Sequence, residues 1–110
     1  MTTRFVVLRE VEDVDGSRRL TAALSSKGDL VIEGRDCGPG VEQVFGVREY
    51  EWAWTIPAAS VGDLLNGLQA AGDDALAALV DRFSGERAAE LGPFLESNRI
   101  PTERWSRLGD

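Results

Sequence analysis

The eight residues 49–56, Glu-Tyr-Glu-Trp-Ala-Trp-Thr-Ile, constrain the fold of this chain more than any other stretch. Every second position is large and apolar, and the positions between are acidic or small; the apolar ones are Tyr50, Trp52, Trp54 and Ile56. Because successive side chains of a β-strand point to opposite faces, this alternation predicts a half-buried strand with one large apolar face. Since aromatic side chains bury a large area, we expect this face to form the contact between a sheet and its helices.

The residues before this stretch have the pattern of further strands. Alternating apolar residues and intervening turn residues predict three strands joined by short turns, at 4–12, 19–25 and 29–34. Pro39 is well placed to begin a short helix, and Gly46 to end it. The fourth strand then covers about 47–56, because Pro57 cannot donate to a sheet ladder.

The residues after this stretch have the pattern of helices. Apolar residues at helical spacing predict three segments, 60–72, 73–85 and 86–98. Ser60 and Asp73 are the expected caps of the first two, and Pro93 is expected to kink or split the third. We expect the tail 99–110 to contain one short turn that holds Trp105.

This order of elements separates strands from helices, which is typical of an α+β fold. The prediction is one domain over 1–110, with strands at about 4–56 and helices at about 60–98. Four antiparallel strands, with a short helix before the fourth, are followed by three helices packed on the Tyr50, Trp52 and Trp54 face. A chain of 110 residues is long enough to bury a core of this kind without disulfides.

Charge and composition exclude several classes of function. The net charge of −7 argues against a nucleic-acid partner, which needs a basic surface. No apolar run approaches the length of a membrane span, and the N-terminal residues lack the pattern of a signal peptide. The single cysteine excludes an intrachain disulfide. We therefore expect a cytoplasmic protein without a membrane or nucleic-acid partner.

The chain contains no histidine, which removes the usual general base and the commonest transition-metal ligand. We therefore expect no enzymatic activity, no cofactor and no metal. Cys37, just before a helix start, is a structural residue or a thiol activated by the helix end. The stripe of Tyr50, Trp52 and Trp54 packs in the core or forms a surface on which a base or sugar ring could stack. An acidic chain fits the second alternative less well, because it lacks the basic groove that such a ligand needs.

Three residues are candidates for contact with a partner. Glu49 and Glu51 share one face of their strand, where they form a solvated acidic surface, a partner-binding pair or an acid–base pair. Trp105 anchors a docked tail or contributes an interface hot spot. The sequence leaves these alternatives open.

Two parts of the chain resemble known proteins. The runs 37–46, 49–55 and 105–110, together with Ile100-Pro101, resemble a group of small acidic actinobacterial proteins to which no activity is assigned. The resemblance covers most of 20–110 and implies a bacterial, intracellular protein. It implies no site residue.

The leading functional hypothesis is a non-enzymatic protein-binding module of the immunity or regulatory type, with another protein or a second copy of the chain as its partner. The alternative is a small-molecule binding module with a pocket between the aromatic strand and the helices.

Overall fold

The computed structural model describes residues 4–72 and 74–109. In chain order they form β1 (Arg4–Asp13), β2 (Gly16–Leu24), β3 (Leu30–Cys37), α1 (Pro39–Phe45), β4 (Glu49–Ile56), α2 (Ala58–Leu68), α3 (Ala75–Phe83), a 3-10 helix (Gly85–Glu90), α4 (Leu91–Ser97) and β5 (Glu103–Gly109). The α+β class is confirmed. The detail differs from four strands and three helices, since the described residues form five strands and four α-helices.

The five strands lie in chain order and each pair of neighbours is antiparallel. The fifth strand overturns the prediction of a short turn around Trp105, because residues 103–109 pair with β4 from Thr55–Glu103 to Glu49–Gly109. Without β5, β4 would be an edge strand with a row of unpaired backbone groups. The strand is hard to recognise in the sequence because both of its faces mix charged and apolar residues.

The core lies on the side of the sheet where the sequence predicts it. Trp52 and Trp54 are half-buried against a cluster of buried residues from the strands and helices. Its fully buried members include Leu30, Ile32, Ile56, Leu64, Leu76, Leu79, Leu91 and Leu95. Helix α1 covers Tyr50, whose ring centroid lies 5.2 Å from that of Phe45.

Two glycines make room for the two tryptophans. Gly34 lies directly opposite Trp52 in the β3–β4 ladder, and a Cβ atom on Gly34 would lie 2.1 Å from Cε2 of Trp52. Gly92 of α4 approaches Trp54 so closely that its Cβ would lie 3.0 Å from Cη2. The indole rings have centroids 4.5 Å apart. The tryptophan pair is therefore held between the sheet backbone and α4.

The helices differ from prediction at their ends. Helix α2 begins at Ala58, so the expected capping box at Ser60 does not form. Pro57, the residue before the helix, supplies no side-chain cap, and the Ala58 N–H donates instead to the Asp29 carboxylate at 2.9 Å. Helix α2 ends before Gln69, which adopts a left-handed conformation, and thus short of residue 72. The expected cap Asp73 lies outside the described residues. Asp74 caps α3, where its carboxylate accepts a hydrogen bond from the Ala77 N–H at 3.1 Å.

The third helical segment is split earlier than expected. Residues 85–90 form a 3-10 helix and α4 begins at Leu91, so the break precedes Gly92 and Pro93. Pro93 then lies in the first turn of α4, where a missing N–H removes no helical hydrogen bond.

The close approach at Gly34 predicts a specific loss of stability. Gly34→Ala places a methyl group inside the Trp52 indole, and we expect the free energy of unfolding to fall by about 1–3 kcal/mol through overpacking. Urea unfolding followed by circular dichroism measures the change. Gly62→Ala is the control, because Gly62 is an exposed helical glycine with no neighbouring atom within 4 Å; it should gain roughly 0.5–1 kcal/mol. Equal stability of Gly34→Ala and the unaltered chain contradicts the tryptophan–glycine packing.

Candidate functional site

The sheet face opposite the helices is open to solvent in the described part of the chain. We call it the open face. Cross-strand partners share a face, so the rows Phe5–Ala23–Val31–Thr55 and Val7–Thr21–Glu33–Ala53–Trp105 both lie on it. Phe5 is 60% exposed and Trp105 is 53% exposed. Large exposed apolar residues therefore lie at both edges of the open face, and the residues between them are a mixture of small, polar and charged ones, including Thr21, Glu33 and Thr55.

All three residues predicted to contact a partner lie on the open face. Trp105 pairs with Ala53 in the β4–β5 ladder. Glu51 pairs with Arg107 two residues further along the same ladder, and therefore on the same face. Glu49 lies two residues before Glu51 and so points to the same side. The structure thus brings Glu49, Glu51 and Trp105 together on one surface.

Glu49 and Glu51 are engaged by arginines. Arg35 forms ion pairs with Glu49 and, at 3.6 Å, with Glu51. Arg107 donates to Glu51 at 2.9 Å. The Glu49 carboxylate also raises the pKa of Arg35 above its ordinary value. We call these four residues the ion-pair ladder; it is a row of paired charges instead of a free acidic surface.

An open depression of about 350 Å³ lies between the ladder and the apolar rows. Trp105 and Ala53 line it from one side, and Arg35 and Glu51 from the other. Cys37 is half-buried at the end of β3, on the same face and near Arg35. The open face therefore combines an aromatic edge, a depression and paired charges.

A second concave site lies on the opposite side of the sheet, between the aromatic strand and the helices. We call it the helix-side pocket; it has a volume of about 280 Å³. Its apolar walls include Trp52, Trp54 and Leu91, and its polar end carries Arg9, Arg18 and Asp36. Arg19 also borders the pocket, although its place in the ladder directs its side chain to the open face. A pocket in this place is what the small-molecule hypothesis predicts, but sequence reasoning missed its charged residues.

A β-bulge brings Arg9 to this pocket. Val7 pairs with Thr21 and Arg9 pairs with Leu20, so Leu8 has no partner in the ladder. Leu8 is 2% exposed and lies in the core. The extra residue reverses the alternation of side chains between the two faces of the sheet from that point on. Arg9 therefore lies on the helix side instead of on the open face with Val7. Strict alternation from Phe5 and Val7 places Arg9 on the open face, so the sequence alone does not reveal its position.

Asp36 lies directly opposite Arg18 in the β2–β3 ladder. Partial burial raises the pKa of Asp36 above its ordinary value, and the charges of Arg18 and Arg9 oppose that rise. Among the described residues, neither Asp36 nor Arg9 forms an ion pair within 4.0 Å, and Arg18 has only a 3.9 Å contact with Asp13. The polar end thus holds its charged groups close together but mostly unpaired.

Comparisons with known proteins identify no relative: no family model, curated protein or solved structure matches the chain. Within residues 4–72 and 74–109, no three His, Cys, Asp or Glu side chains lie together as a metal site would require. No helix in those residues is long and apolar enough to cross a membrane.

The raised pKa of Asp36 predicts a pH-dependent effect of one substitution. A carboxyl whose pKa is higher in the folded chain stabilises it most below the unfolded pKa, and this contribution is lost as pH rises through the folded pKa. Asp36→Asn removes the titration. We therefore expect the variant to gain stability relative to the unaltered chain as pH rises from about 3 to about 7.

Urea unfolding of both proteins across that pH range measures the effect. Asp74 has a lowered pKa and an opposite pH dependence, because it accepts the Ala77 N–H and pairs with Arg4. Asp74 is present in both proteins, so its contribution cancels when the free energy of unfolding of one is subtracted from that of the other. The difference then reports the titration of Asp36. A stability difference that does not change with pH contradicts the prediction.

Proposed function

We propose that this chain is a non-enzymatic protein-binding module and that the open face is its docking surface. The observation that supports this most strongly is the exposure of Phe5, Val7 and Trp105 on a sheet face that no described element covers. Exposed apolar residues grouped on one face are typical of interaction sites, and tryptophan is enriched among the residues that dominate interface energy. The absence of histidine in the sequence supports a role without catalysis.

The ion-pair ladder supports the same proposal by providing a polar border. It carries two guanidinium and two carboxylate groups, so the open face presents both signs of charge. Charged groups at the edge of an interface contribute orientation and partner choice more than affinity. A second protein of the immunity or regulatory type and a second copy of this chain both fit such a surface.

Trp105 provides the sharpest test. Trp105→Ala removes the aromatic edge of the open face, and we expect partner affinity to fall by roughly 30-fold or more, as for an interface hot spot. Leu108→Ala is the matched control: Leu108 lies on the same strand, is 48% exposed and faces the helix side opposite Tyr50.

Two measurements cover the two kinds of partner. Sedimentation velocity over a concentration series detects self-association, and quantitative affinity capture from a lysate of the source organism detects a second protein. Support requires a partner or dimer that Trp105→Ala loses and Leu108→Ala keeps. The proposal is wrong if the unaltered chain stays monomeric and captures no stoichiometric partner, or if both variants bind equally.

The ladder is tested by charge reversal. Replacing Glu49 and Glu51 by Lys gathers four positive charges on the open face, and we expect weaker partner binding at low salt. Glu96→Lys is the control, because Glu96 also pairs with an arginine, at 3.3 Å, but on the helix side. Unfolding curves confirm that each variant is folded. Unchanged affinity of the Glu49/Glu51 variant removes the ladder from the interface.

Small-molecule binding is a second candidate function, and the helix-side pocket is the observation that favours it. Ligand sites are typically concave and largely apolar, with a few polar groups that orient the ligand. The pocket has this composition, since Trp52, Trp54 and Leu91 contribute apolar walls and charged residues lie at one end.

A further inference from the structure

The arginines of the helix-side pocket differ from most others in the chain. Arg9 and Arg18 are half-buried, whereas Arg4, Arg35 and Arg107 are exposed and paired with carboxylates at 3.6 Å or less. Of the described carboxylates, only Asp13 lies within 4.0 Å of either pocket arginine, at 3.9 Å from Arg18. A partly desolvated guanidinium without a close anion gains more from a bound anion than an exposed, paired one does.

The charges of the polar end select the kind of anion. On the helix side of the sheet, two guanidinium groups and the Asp36 carboxylate leave one excess positive charge when all three are ionised. Arg19 also borders the pocket, but its ladder partners Glu10 and Arg35 place its side chain on the open face, so it is not counted. A carboxylate with a single negative charge matches this excess, whereas a phosphate ester, at close to −2 near neutral pH, exceeds it. Asp36 can accept a hydrogen bond but, when ionised, cannot donate one. A ligand N–H or O–H near its anionic group therefore satisfies all three residues.

The walls select the shape of the rest of the ligand. One side of the Trp52 indole lies over Gly34, where a Cβ atom would overlap the ring. Trp52, Trp54 and Leu91 all contribute to the lining of the pocket, and the centroids of the two indole rings lie 4.5 Å apart. The volume of about 280 Å³ is at the small end of ligand sites. A flat ring of one or two fused cycles fits these walls.

From these observations we propose that the helix-side pocket binds a small planar aromatic carboxylate that also carries a hydrogen-bond donor. Arg9 and Arg18 bind the carboxylate, Asp36 accepts the donor, and the tryptophan pair contacts the ring. This inference rests on the second candidate function, that the pocket holds a small molecule.

The test uses the full chain with indole-2-carboxylate as the probe and indole-2-carboxamide as its neutral counterpart. Naphthalene-2-carboxylate, which lacks the ring N–H, tests the donor. Isothermal titration calorimetry gives affinities, and ¹H–¹⁵N spectra locate binding through the indole N–H signals of Trp52 and Trp54. We expect indole-2-carboxylate to bind saturably. The affinity of each of the other two probes should be on the order of tenfold lower, because each of them loses one charge-assisted hydrogen bond.

Variants assign the effect to the pocket. Arg18→Gln and Arg9→Gln should each weaken indole-2-carboxylate on the order of tenfold and leave the carboxamide nearly unchanged. Using both variants keeps the test valid if one does not fold, and unfolding curves show which do. Arg107→Gln is the matched control, because Arg107 pairs with Glu51 on the open face; it should bind like the unaltered chain.

Each other outcome overturns a defined part of the proposal. Equal binding of the carboxamide and the carboxylate means that the pocket takes small molecules without selecting an anion, which leaves the second candidate function standing. Equal binding by the Arg18→Gln and Arg107→Gln variants places the anion elsewhere. No saturable binding of any of the three probes overturns the inference and does not affect the protein-binding proposal.

Discussion

The contact of Trp52 and Trp54 with two backbone glycines is the constraint on which the rest of the structure depends. Gly34 lies beneath one indole and leaves no room for a side chain, and Gly92 of α4 approaches the other indole so closely that a side chain there would crowd the ring. This contact sets the spacing between the sheet and α4 and leaves the helix-side pocket beside the rings. Arg104 adds a cation–π contact 4.9 Å from the Trp54 centroid, which ties β5 to the same pair.

The two faces of β4 support two different candidate functions. Its even-numbered residues face the helices, and two of them, Trp52 and Trp54, line the helix-side pocket. Glu49 and Glu51 lie on the opposite face and join the ion-pair ladder. A single-layer sheet with helices on one side leads to this division, because none of the elements formed by residues 4–72 and 74–109 covers the second face. The protein-binding and small-molecule proposals therefore concern opposite sides of the same strand and are separable by substitution.

Strand β1 shows how one residue changes what a surface can bind. The bulge at Leu8 buries that side chain and turns Arg9 toward Arg18 and Asp36. With regular alternation, Arg9 would lie beside Val7 at the edge of the open face. At the pocket, the helix side of the sheet would then carry one arginine, Arg18, opposite Asp36, with no excess positive charge. Bulges commonly re-aim side chains near binding sites, and this one has that effect.

Much of the architecture was determined by the sequence by itself. The alternation in 49–56 predicted the buried aromatic face, Pro39 and Gly46 delimited α1 correctly, and the order of patterns predicted the α+β class. These features depend on neighbours within one element, where side-chain direction and turn chemistry act over a few residues. The grouping of Glu49 with Glu51 on one face also followed from that local rule.

Other features were decided only by the tertiary structure. Residues 103–109 became a strand because β4 offered an unpaired edge, and their own pattern did not indicate it. Pairing also brought Arg35 and Arg107 to Glu51, and Trp105 to the face that carries both glutamates. Register and bulges depend on contacts between segments far apart in the chain, so local periodicity cannot specify them. The positions of the charges that define both candidate sites follow from those long-range contacts.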